Sequence, residues 1–192
     1  MKQMRSSLGK IGVCLFMLLT FMVSTAAAES LESKKQELRQ KTAVTLTQLY
    51  KKQPSAQRVI ENAAGYAVFN NTGFKLGIFG SAHGRGMAIS NETDQEVFMK
   101  MQEFQAGLGL GIKEYALIFV FNNQELWEDF VNNGWEFNAQ ATAAAEDGVN
   151  GASMQGALAI TPGMWMYQMT TKGLALELAV KGTRYFRDKR FD

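Results

Sequence analysis

The sequence predicts an α+β protein: a curved, mostly antiparallel sheet, sandwich- or barrel-like, with an N-terminal helix and one or two packing helices. Three observations predict it. A helical apolar stripe runs through residues 30–51, glycine-punctuated alternation begins after Ala64, and Tyr115 to Phe121 is apolar without a break. With 192 residues, 46% of them apolar and 20% charged, the chain suits one ordinary domain with an appended helix.

The chain opens on Lys2, Arg5 and Lys10, then an apolar run from Ile11 to Val23, then Ala26, Ala27 and Ala28. That order predicts a secretory signal peptide over residues 1–28, cleaved after Ala28. The apolar run falls short of the roughly 18–20 residues that span a bilayer, which disfavours the alternative of a retained anchor. Cys14, the single cysteine, sits inside the run rather than at its end, so it reads as a leader residue and not as an acylation site. The leader holds three basic residues and no acid. The remaining chain then has 17 basic against 18 acidic residues, a formal net charge of −1 where the whole sequence has +2. A global attraction to nucleic acid is excluded on that balance, and any basic site must be local.

The segment 29–62 predicts helices. Ser30 caps the first, Glu37 and Lys41 support it at i,i+4, and Leu31, Leu38, Leu46, Leu49 and Tyr50 form its stripe. The stripe packs on the domain or, alternatively, lies on a membrane surface between basic flanks. Pro54 ends this helix, and Ser55 to Asn62 forms a short second one. The β-rich domain occupies 63–192. Tyr66 to Phe69 is a short strand, Asn70-Asn71-Thr72-Gly73 a turn, and Phe74 to Ile89 two strand-like runs about Gly80 to Gly86. A turn at Asn91 to Asp94 leads to strands over Val97–Gln102 and Phe104–Ile112. Tyr115 to Phe121 is a strand buried on both faces. Asn123 caps a helix to about Val131 with Leu126, Trp127 and Phe130 on one face. Trp135 to Ala145 alternates again, and two late strands lie near Met164–Thr170 and Gly173–Tyr185.

Three features carry candidate chemistry. Gly107, Gly109 and Gly111 recur with period two inside a strand-like run, which does not match a phosphate-binding turn between strand and helix. Their bare face permits close backbone approach or curvature, while Leu108 and Leu110 face the core. His83, the single histidine, lacks a nucleophile or ligand partner and reads as a polar residue at a strand end or hairpin tip. The C-terminal run gathers Lys181, Arg184, Arg187, Lys189 and Arg190 with Tyr185, Phe186 and Phe191. It is either a site for an anionic headgroup or a solvated chain end. No catalytic signature is present, so the reading is non-enzymatic, with no cofactor and no metal site.

Ala64 to Phe69 with Lys75 to Met87, then Gly107 to Phe119 with Glu125–Phe130 and Phe137–Ala145, then Tyr167–Leu174 with Lys181–Thr183, together resemble the SYLF-domain family. The resemblance implies a lipid-binding module. Eukaryotic members bind phosphoinositides, some bind actin filaments, and many bacterial members are exported envelope proteins. The expectation is therefore an exported module in the periplasm or cell envelope that docks on anionic phospholipid or a membrane surface. Lys75, Arg85, Lys172, Lys181, Arg184 and Arg187 are the candidate phosphate contacts. The alternative is an envelope protein-interaction or stress-associated component without lipid binding.

Overall fold

The computed structural model describes residues 30–137, 156–170, 173–175 and 182–192. The chain divides into two compact units, Met1–Glu37 and Leu38–Asp192. Helix α1 covers residues 30–52, so residues 30–37 are the described part of the first unit.

The second unit continues from α1 into α2 (Ser55–Glu61), β1 (Gly65–Ser90), β2 (Glu96–Phe121), α3 (Gln124–Asn133), β3 (Trp135–Phe137), β4 (Leu158–Thr161), β5 (Met164–Thr170), β6 (Gly173–Ala175) and β7 (Thr183–Arg187). All strands join one curved, antiparallel sheet, a half-barrel whose path runs β3-β7-β2-β5-β4, with β1 on β2 and β6 on β5. The α+β expectation holds.

Strand β2 divides two cores because its side chains alternate between faces. Leu117, Phe119 and Phe121 join Phe69, Trp127, Phe130 and Tyr185 on the face covered by α3. Ala116, Ile118 and Val120 join Leu49 of α1, Ala56 and Ile60 of α2, and Tyr167 on the other. The unbroken apolar run at 115–121 is thereby explained: every residue from Ala116 to Phe121 is buried. The Asn123 side chain accepts from Leu126 N at 2.8 Å, which starts α3 as its capping chemistry predicts. On α1, Leu38 and Leu49 are buried with Thr42 and Thr45, so residues 38–52 follow the packing alternative.

Four sequence expectations are corrected. Asn70–Gly73 is no turn: β1 runs unbroken through it, with Asn70 opposite Ala116 and Gly73 opposite Lys113. The Asn70 carboxamide accepts from Thr45 of α1 at 3.0 Å, so its turn-forming side chain is engaged elsewhere. The separate strands expected over 66–89 and over 97–121 are one strand each, paired along nearly their whole length. His83 stands in mid-strand opposite Gln102, exposed, and not at a hairpin tip. The late strand expected over Gly173–Tyr185 is observed as two, β6 and β7, with a bend at Gly182 before β7 and residues 176–181 outside the described set.

Candidate functional site

The site is the middle of the β1–β2 pair. On its edge away from β1, β2 pairs with β7 over Met99–Glu103 and with β5 over Tyr115–Phe121. Between those contacts, residues 72–81 of β1 and 104–114 of β2 pair mainly with each other and form a two-stranded ribbon. Phe74 opposes Ile112 and Leu76 opposes Leu110, which places four large apolar side chains on one face. All four are exposed, Leu110 at 82% and Ile112 at 74%, as are Phe79 and Phe104 nearby. The other face carries Gly73, Lys75 and Gly77 opposite Lys113, Gly111 and Gly109. On it the two lysines alone have side chains.

The glycines have two uses. Gly77 (φ 65°) and Gly111 (φ 140°) adopt backbone conformations that a side chain disfavours, and space around both is open. Gly84 and Gly86 serve close approach instead. A methyl at Gly84 would collide with the Asn71 carboxamide, and one at Gly86 with the Val68 carbonyl and the Phe69 ring. The two halves of β1 thus lie against each other where the ribbon leaves the sheet. Of the two uses expected for the bare face at Gly107–Gly111, close approach does not apply at Gly111, where an added methyl would meet nothing within 4 Å, and the expectation that Leu110 faces the core is overturned by its exposure. The surroundings of Gly107, Leu108 and Gly109 lie outside the described residues. All five positions lie within β2, so no turn for a nucleotide phosphate exists there.

The predicted site residues are scattered. Lys75 is on the cationic face of the ribbon. Arg85 is exposed further along β1, opposite Lys100. Among the described residues neither has an ion-pair partner, and the same is true of Lys113, whose ammonium sits 5.9 Å from the Tyr115 ring centroid. Arg184 pairs with Glu136 at 3.4 Å. Arg187 donates to Asn132 Oδ1 at 3.0 Å and lies 3.6 Å from Asp192. Lys172 and Lys181 lie outside the described residues. The aromatics of the C-terminal run are also engaged: Tyr185 is in the core, and Phe191 packs on Phe98 at 5.0 Å between centroids.

Asp188 organises that end of the chain. It is buried, with Lys100 Nζ 2.9 Å from one carboxylate oxygen, an Arg190 contact on the other, and its own N–H donating to Phe98 O. Burial opposes its charge, but the hydrogen bonds from Arg190 and Lys100 prevail and hold its carboxyl well below the usual range. Tyr115 Oη donates to Glu103 at 2.7 Å, and burial with the nearby Glu103 charge pushes the phenol far above its usual value. Sequence reasoning missed both arrangements, because Lys100 is remote from Asp188 in the chain and Tyr115 meets Glu103 only through a bend in β2. It also missed Lys113 and the four exposed apolar residues. The signal available for them was the alternation of glycine with leucine and isoleucine, which marks a strand with one empty face.

Among the described residues no group of three His, Cys, Asp or Glu side chains is placed to hold a metal ion, and no helix is long and apolar enough to cross a membrane. These features define a β-rich, half-barrel module that presents an apolar ribbon and no catalytic constellation among the described residues. Residues 102–192 match the Ysc84 family, described as Las17-binding protein actin regulator. The chain therefore contains a Ysc84/SYLF-domain region over part of its sequence, which supports a generic lipid-association role. The chain is also similar to beta cell expansion factor A of Aeromonas veronii, 34% identical over 148 residues, which cover 75% of this chain and 53% of that protein. It spans about half the length of that relative.

Proposed function

We propose that the protein is an exported, non-catalytic module that docks on anionic phospholipid at the cell envelope. The observation that carries this reading is the pair Lys75 and Lys113, which share one face of an exposed ribbon with no acidic partner among the described residues. Arg184, Arg187 and Arg190 each face an acid, so engaging a phosphate there requires giving up an existing contact. The SYLF-domain region supports lipid association in general, and the free lysines favour an anionic surface. Each lysine or arginine near such a surface contributes about 1 kcal/mol. Lys75, Lys113 and Arg85 together then supply roughly a hundredfold preference for anionic over neutral membranes.

Co-sedimentation with phosphatidylcholine vesicles, with and without phosphatidylglycerol, at two salt concentrations tests the reading. Binding should favour the anionic vesicles and weaken as salt rises. Equal recovery with both compositions would refute anionic docking. Intact-mass measurement of protein from an envelope fraction tests export: the expected species begins at Glu29, and a mass retaining residues 1–28 or an acyl chain on Cys14 contradicts it.

A further inference from the structure

We infer that the apolar face of the ribbon inserts into the interfacial layer of a lipid bilayer, while Lys75 and Lys113 reach back from its opposite face to the headgroup phosphates. This rests on the lipid-docking reading and specifies its mode: insertion of a β ribbon rather than surface attraction alone. Phe74, Leu76, Leu110 and Ile112 are each more than half exposed and adjacent in register, an apolar patch that folding leaves in water. Burying them in acyl chains removes that surface from water. Over Gly73–Gly77 and Gly109–Lys113 the opposite face is glycine except for the two lysines, and the Tyr115 ring with its Glu103 partner lies beyond Lys113 at the end of that face.

Charge selects lipid over a protein partner as the occupant. Apolar side chains below and unpaired ammonium groups above, separated by the thickness of a single ribbon, match the order of layers at an anionic bilayer surface. Lysine's long stem lets its charge stay at the headgroup level while the strand sits lower. The depth is limited. A two-stranded ribbon keeps unpaired backbone groups on its open edges, which hydrocarbon penalises heavily. The ribbon therefore settles at the headgroup–acyl boundary, about 5–10 Å in, the depth of an interfacial amphipathic element. Phe79 and Phe104, exposed beyond the register shift between Gly77 and Phe79, extend the inserted surface toward the base of the ribbon.

The test compares wild type with Leu110→Asp/Ile112→Asp on anionic vesicles, and reads a nitrobenzoxadiazole fluorophore on Leu110→Cys in a Cys14→Ser background. Both positions face solvent, so the melting temperature should not change. The double variant should lose about tenfold or more in partitioning, at high salt as well as low. The fluorophore should shift to the blue and be quenched by lipids brominated near the headgroup end of the acyl chain. The fluorophore result stands alone should the double variant fail to fold. If wild type sediments with vesicles while the fluorophore remains in water, or while the double variant binds as well, insertion is overturned and docking survives. If wild type binds no vesicles, both readings fall. If the double variant instead converts an oligomer to monomer with vesicle binding intact, the ribbon is a contact between copies and the inference is wrong.

Discussion

Tyr115 donates a hydrogen bond to Glu103 across 2.7 Å, although both belong to β2 and stand 12 residues apart. A straight strand would separate them by roughly 40 Å at about 3.3 Å per residue. The bond is therefore a clasp across a sharp bend, and the residues between its two ends are the β2 half of the ribbon. Removing the phenol in Tyr115→Phe takes one donor from a buried carboxylate, at a cost of about 1–3 kcal/mol. Urea unfolding measures it. An unchanged midpoint would show that the clasp holds nothing.

Gly86 makes the same bend possible on β1. Gly86→Ala forces its methyl into the Val68 carbonyl and the Phe69 ring, and should destabilise by about 1–3 kcal/mol through overpacking. Gly73→Ala is the matched control, because its nearest neighbour would be the Ala82 methyl at 3.4 Å, an ordinary contact. Thermal melts should separate the two variants clearly. Equal melting temperatures would contradict the close approach.

Asp188 sets an acid limb on stability. Its folded carboxyl titrates below the unfolded value of about 3.9, so the unfolded chain binds more protons in that window. Stability is then complete above about pH 4 and declines as pH falls further. Asp188→Asn should lower stability at pH 7 by about 1–3 kcal/mol and flatten the decline below pH 4. Denaturation midpoints from pH 2 to pH 7 check both statements. An acid limb as steep as wild type would assign it to other carboxyls.

The cations should rank by their present partners. Lys75→Glu/Lys113→Glu should reduce binding to anionic vesicles steeply while leaving the melting temperature alone, because neither lysine is tied to an acid among the described residues. Arg184→Glu/Arg187→Glu should reduce binding less and stability more, because Arg187 anchors β7 to the end of α3 through Val131 O and Asn132. A reversed ranking would return the headgroup site to the C-terminal run.

What was legible in the sequence followed from local chemistry. The Asn123 cap, the break at Pro54 and the doubly buried run at 116–121 each follow from a few adjacent residues, and the structure bears them out. The Asn70–Gly73 segment misled because its turn chemistry is overridden from outside, by Thr45 on α1 and by pairing with β2. The ribbon misled for another reason. Alternation distinguishes two faces of a strand but not which one meets water, and glycine in place of polar residues removed the usual marker. Of the C-terminal cations, Arg184 takes its acid, Glu136, from another strand, whereas Arg187 and Arg190 meet Asp192 and Asp188 of their own run once the chain end folds back.

The division of β2 between two cores bears on how the molecule comes apart. Opening the core under α3 exposes Leu117, Phe119 and Phe121, and opening the one under α1 and α2 exposes Ala116, Ile118 and Val120 from the same stretch of backbone. Neither layer can melt without stripping the other of its floor. Amide protons at 116–121 should exchange with deuterium at the rate of global unfolding, whereas those near Leu110 and Ile112 should exchange through local fluctuations. The ribbon can then flex against a membrane without spending any of the cooperativity that keeps the two layers folded.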